Sequence, residues 1–73
     1  MKTKNEAADL VKKSIGTTMS VSLLRDHSNA FVFLCTATDP EAIPNKIIAA
    51  VNKDSGNIGY SLLSVEDAVK KVG

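Results

Sequence analysis

The residues of this sequence that could do covalent chemistry are one cysteine, Cys35, and one histidine, His27. A cysteine nucleophile needs a histidine base within hydrogen-bond reach and a third group that orients the base. His27 falls in a polar turn, and Cys35 follows about eight residues later in an apolar stretch, which corresponds to roughly 25 Å of extended chain. The pair therefore does not predict a catalytic site, and Cys35 is interpreted as a small buried hydrophobic residue.

Metal and acid–base chemistry find equally little support in the sequence. A structural zinc site needs about four ligands, and the chain has neither a CxxC nor an HxxxH spacing. Asp39 and Glu41 follow an apolar stretch, but short polar residues beside Pro40 are typical of turns. No catalytic residue, cofactor or metal ligand is predicted, and the chain is interpreted as a protein that is not an enzyme.

Length and composition indicate one small domain over residues 1–73. A chain of this size buries only about 60% of the surface that its unfolded form exposes, so small domains often gain stability from disulfides, metals or association. A single cysteine cannot form a disulfide within the chain, which leaves association with a partner. The unpaired cysteine and the lack of a long apolar segment predict a cytoplasmic protein without a membrane anchor. A net charge of +1 indicates no surface built for a polyanion.

The first half of the chain predicts a helix and a β-hairpin. Residues 5–16 carry apolar side chains at helical spacing, with Thr3 or Asn5 as the N-cap. Two strands follow, over residues 18–25 and 30–38, and the polar residues between them form a turn. A hairpin of this kind makes the two strands antiparallel.

The second half of the chain predicts two helices around a third strand. Pro44 suits the first turn of a helix, because it lacks the N–H that a helix start leaves unpaired, and the apolar residues after it indicate a helix over 44–54. A strand over 58–63 and a helix capped by Ser64 complete the chain. The predicted fold class is α+β in the order α-β-β-α-β-α. Its sheet is three-stranded and mixed, because the helix over 44–54 connects the second strand to a parallel third strand.

The second strand is apolar on both faces, which raises the question of what covers them. Pairing of Ser22 with Phe33 across an even-length turn places Phe31 and Phe33 among small residues on one face of the sheet. An exposed apolar face of this kind usually marks an interaction site. Two interpretations stay open: the first helix folds over the phenylalanines, or a second chain covers them.

The leading functional hypothesis is a regulatory or adaptor-type protein that acts by protein–protein association through this face, with itself as a homodimer or with another protein. Its predicted interface residues are Phe31, Phe33, Leu24 and Leu63. One alternative is a small-molecule sensor or sequestering protein, with a pocket between two copies of the chain that is lined by Ser20, Ser22 and Tyr60. A second alternative is a nucleic-acid binder that stacks bases on the phenylalanines, although the near-neutral charge disfavours it.

Overall fold

A computed structural model describes residues 2–16 and 18–73 of the chain. The elements are α1 (Lys4–Ile15), β1 (Met19–Asp26), β2 (Ala30–Ala37), β3 (Lys46–Asn52), β4 (Ile58–Ser61) and α2 (Val65–Val72). The four strands form one antiparallel sheet in the order β1-β2-β3-β4. Helix α1 packs on one face of this sheet, here named the α1 face, and α2 packs on the other, the α2 face. Neither of these two helices is long and apolar enough to cross a membrane.

The predicted three-stranded mixed sheet is wrong, because residues 44–54 do not form a helix. Strand β3 occupies most of that range, Pro44 lies in the loop before it, and all neighbouring strands are antiparallel. The two strands that were expected to pair in parallel are β2 and β4, and β3 lies between them. Side chains of β3 alternate between two covered faces, so the run is apolar throughout and carries no alternation of polar residues. A short apolar run of this length does not distinguish a buried strand from a helix.

Two small residues in the middle of β3 set how closely the helices approach the sheet. Ala49 is fully buried on the α1 face, in one cluster with Ala7 and Val11 of α1. Ala50 is fully buried on the α2 face, in a second cluster with Ala68 of α2. Small side chains at both positions allow helix backbones to come close on both sides of the sheet.

A one-residue shift in the pairing of β1 with β2 decides which side chains of β1 lie on the same face of the sheet as the phenylalanines. Ser28 and Asn29 form the loop, since the N–H of the residue before them donates to the carbonyl of the residue after them at 2.8 Å. A β-bulge at Leu24 then shifts the register, so that Leu23 lies opposite Phe33. The predicted partner of Phe33, Ser22, is therefore wrong by one residue. A slip of one residue moves every side chain of one strand to the other face relative to its neighbour.

Helix α1 covers the phenylalanines within the chain itself. Thr3 begins the helix with a capping box: its hydroxyl accepts from the Glu6 N–H at 3.2 Å, and the Glu6 carboxylate accepts from the Thr3 N–H at 3.3 Å. The buried side chains of Ala7 and Val11 pack in one cluster with Phe33. The predicted helix and its Thr3 cap are confirmed, and so is the first of the two interpretations of what covers the phenylalanine face.

Helix α2 lies close against the edge strand of the sheet. Ser64 begins it as predicted, accepting from the Asp67 N–H at 3.2 Å. Beneath the helix, Gly59 of β4 leaves no room for a side chain: an added Cβ would lie 2.7 Å from the Cβ of Lys71 and 2.9 Å from the carbonyl oxygen of Ala68. Glycine at this position therefore permits the contact between α2 and β4.

Candidate functional site

The four residues of the predicted interface do not share one surface. Phe31 and Phe33 are 9% and 1% exposed beneath α1, which also removes the aromatic surface on which bases would stack. Leu24 is the bulged residue of β1 and is 46% exposed, whereas Leu63 follows β4 and is 85% exposed. Because β1 and β4 are the two outer strands, these leucines lie at opposite edges of the sheet. The phenylalanines belong to the core, and only the leucines are accessible to a partner.

The three residues of the alternative ligand pocket are also separated within one chain. Ser20 and Ser22 are exposed on the α2 face of β1. Tyr60 lies on the α1 face of β4, where its hydroxyl donates to the Ser14 hydroxyl of α1 at 2.6 Å. Opposite faces and opposite edges of the sheet keep the serines away from the tyrosine.

The residues considered for chemistry do not converge either. Cys35 is fully buried on the α1 face, and this burial raises the pKa of its thiol, which lowers the fraction of reactive thiolate. His27 lies at the β1–β2 loop, and the Asp39 carboxylate accepts from the Glu41 N–H at 2.9 Å to close a turn. Across residues 2–16 and 18–73 there is no group of three or more His, Cys, Asp or Glu that could hold a metal ion.

An open, mainly apolar groove of about 780 Å³ lies beside β4. It is bounded by the loop before β3, the edge strand β4, the turn after β4 and one side of α2. Its apolar and aromatic lining residues are Pro44, Ile47, Tyr60, Leu62 and Leu63. Its charged lining residues all come from α2 and are Asp67, Lys70 and Lys71.

The turn between β4 and α2 holds two leucines in solvent at the rim of this groove. The buried Ser61 hydroxyl oxygen accepts from the N–H of Leu63 at 3.0 Å and from the N–H of Ser64 at 3.4 Å. These bonds fix the turn, yet Leu62 is 65% exposed beside the even more exposed Leu63. Ile43, which precedes the groove residue Pro44, is 97% exposed. The turn after β4 therefore presents two large apolar side chains, Leu62 and Leu63, from one ordered segment.

Among residues 2–16 and 18–73, no strand pairs with the outer side of β4. The N–H of Asn52 donates to the carbonyl of Asn57 at 2.9 Å, which fixes the alternation of the β3–β4 ladder. Ile58 and Tyr60 consequently turn their main-chain groups outward, away from β3. The outward carbonyl of Tyr60 accepts a hydrogen bond from the Lys71 ammonium group of α2. A lysine at an open sheet edge is one means by which proteins limit edge-to-edge pairing.

Sequence reasoning selected two residues of this groove, Leu63 and Tyr60, but assigned them to different sites and missed the other lining residues. It assigned Leu62 to a strand over 58–63, whereas β4 ends at Ser61. The available signal was a pair of adjacent leucines directly before the helix cap, since a short edge strand cannot bury both. Compared with protein-family models, curated proteins and solved structures, the chain matches none of them.

Proposed function

We propose that this protein acts by protein–protein association, as a regulatory or adaptor-type protein, and that its partner is a second copy of the chain bound at the groove beside β4. The observation that carries the proposal is the exposure of Leu62 and Leu63 on a turn fixed by Ser61. Apolar side chains clustered at the rim of an apolar groove favour burial against another protein surface. Helix α1 covers the phenylalanines, so the association is assigned to this edge instead of the phenylalanine face.

The order of charges along α2 supports a second copy as the partner. Acidic Glu66 and Asp67 lie in its first turn, and basic Lys70 and Lys71 lie in its last turn. A two-fold axis beside β4 would set the two α2 helices antiparallel, with Asp67 of each facing the basic turn of the other. A net charge of only +1 gives little repulsion between copies.

The size of the chain favours such an interface. Stable interfaces bury about 800 Å² per partner, which is roughly a fifth of the 4474 Å² surface of this chain. That burial would add to the limited stability that the small core of a domain of this length provides. We also place the association in the cytoplasm, because the one cysteine is free and buried, which is typical of proteins in reducing compartments.

Sedimentation equilibrium over a wide concentration range tests this proposal. We expect the wild-type mass to rise from that of one chain to that of two, and Leu63→Glu to remain a single chain because a charge would be buried in the interface. Leu24→Glu is the matched control: it changes an exposed leucine at the opposite sheet edge and should still dimerise. A wild-type protein that stays monomeric throughout, or a Leu63→Glu variant that dimerises normally, contradicts the proposal.

A small apolar ligand in the same groove is the second candidate function. The volume of about 780 Å³ falls in the range of small-molecule sites, about 300–1,000 Å³, and the lining combines apolar side chains with lysines. A native mass spectrum of freshly purified protein distinguishes the candidates. A mass that exceeds that of one or two chains by the mass of a small molecule favours the ligand. A mass equal to that of two chains, with nothing added, favours the dimer.

A further inference from the structure

Strand β4 offers main-chain groups as well as side chains to a second copy. We infer that two copies join by antiparallel pairing of β4 with β4, so that two four-stranded sheets become one, and that Lys71 exchanges the Tyr60 carbonyl for the Asp67 carboxylate of the other copy. This inference rests on the proposed dimer. It goes further by assigning the bonds that join the copies and the residue that limits their formation.

The outward groups of β4 fit a two-fold pairing centred on Gly59. Ile58 and Tyr60, on either side of it, both direct an N–H and a C=O away from β3. An axis at Gly59, perpendicular to the sheet, sets Ile58 of one copy opposite Tyr60 of the other. Every outward N–H and C=O of the two residues then gains a main-chain partner, as in other cases of strand addition.

The same axis brings the α2 helices into register. Gly59 lies directly beneath α2, where an added Cβ would be 2.9 Å from the Ala68 carbonyl oxygen and 3.0 Å from Cγ1 of Val72. An axis at Gly59 therefore passes close to the middle of the segment between Asp67 and Lys71. Antiparallel helices related by this axis place Asp67 of one copy opposite Lys71 of the other, so the main-chain pairing and the charge pairing require the same geometry.

The Lys71 ammonium group has one partner in the single chain and another in the dimer. In the single chain its ammonium group occupies the Tyr60 carbonyl, which is one of the acceptors that strand pairing needs. In the dimer that carbonyl accepts from the second copy, and the released ammonium group binds a carboxylate, which is a stronger hydrogen-bond partner than a neutral carbonyl. The exchange leaves the Tyr60 carbonyl and the Lys71 ammonium group paired on both sides of the equilibrium.

Amide hydrogen exchange followed by NMR tests the strand pairing. We expect the amide protons of Ile58 and Tyr60 to exchange about tenfold or more slowly at concentrations where the protein is a dimer than in dilute protein. The amide of Val21, on the opposite open edge, is the internal control and should exchange equally in both. A dimer in which Ile58 and Tyr60 exchange as in dilute protein overturns the strand pairing while leaving the proposed dimer intact. A protein without any dimer overturns both.

Two acidic residues of one helical turn give a matched test of the charge pairing. Asp67→Asn should weaken dimerisation about threefold to tenfold and reduce its dependence on salt, because each copy loses the partner of Lys71. Glu66→Gln should leave the strength of dimerisation and its dependence on salt unchanged. The Glu66 carboxylate faces Arg25 of its own chain, with Oε1 3.8 Å from Nη1. Equal effects of the two variants, or no effect of Asp67→Asn, contradict the proposed arrangement of the helices.

Discussion

Replacing Gly59 with alanine should destabilise this protein, although removing a glycine from a strand usually does the opposite. The new Cβ would lie 2.7 Å from the Cβ of Lys71, 2.9 Å from the Ala68 carbonyl oxygen and 3.0 Å from Cγ1 of Val72. Neither the Lys71 Cβ nor the Ala68 carbonyl is the end of a flexible side chain, so α2 itself has to move. Overpacking of this kind costs about 1–3 kcal/mol.

Alanine also lowers the conformational entropy of the unfolded chain, which stabilises the folded protein by about 0.4–1 kcal/mol. With the middle of each range, about 2 and about 0.7 kcal/mol, the net loss in the free energy of unfolding is about 1.3 kcal/mol. For a domain of this length, that loss lowers Tm by about 5–10 °C.

Thermal unfolding followed by circular dichroism, at one low protein concentration, measures the effect of Gly59→Ala. A Val72→Ala background provides the control, because it removes one of the three close contacts. The loss caused by Gly59→Ala should be smaller in that background than in wild type, giving a non-additive pair. An alanine variant that is as stable as wild type, or more stable, would refute the close contact between α2 and β4.

Two further predictions concern the core on the α1 face. Phe33→Ala should lower the free energy of unfolding by about 3–5 kcal/mol in urea titrations, because it empties a nearly fully buried site beneath α1; a midpoint close to that of wild type would mean that Phe33 does not pack there. Cys35 should react with a thiol reagent much more slowly in the folded protein than in urea at the same pH, since burial both blocks access and raises the pKa of its thiol. Equal rates in the two conditions would contradict its burial.

The elements that the sequence predicted correctly are those with local signals. Thr3 and Ser64 cap the two helices through bonds to residues three positions along the chain, so a single sequence window contains the whole determinant. The hairpin between β1 and β2 follows from its polar loop. Strand β3 lacked such a signal, because its apolar character on both faces depends on helices that are distant in sequence.

The candidate site was less predictable, for two physical reasons. The bulge at Leu24 changes which side chains of β1 share a face with Phe33, and no residue of the loop predicts the bulge. The groove combines Pro44 with residues of β4 and α2, so it exists only once β3 is a strand that places its preceding loop beside them. Leu63 and Tyr60 were selected, but for separate sites, because Leu63 was assigned to the phenylalanine face and Tyr60 to a pocket between two copies.

Every strand in this sheet is paired with the strand next to it in sequence, and this has a consequence for the speed of folding. Successive hairpins bring together residues that are close along the chain, so each step closes only a short loop. A parallel crossover would have required a longer loop before its first contact formed. Docking of α1 onto Val51 and the phenylalanines joins residues that are far apart in sequence. We expect it to complete folding after the hairpins have formed.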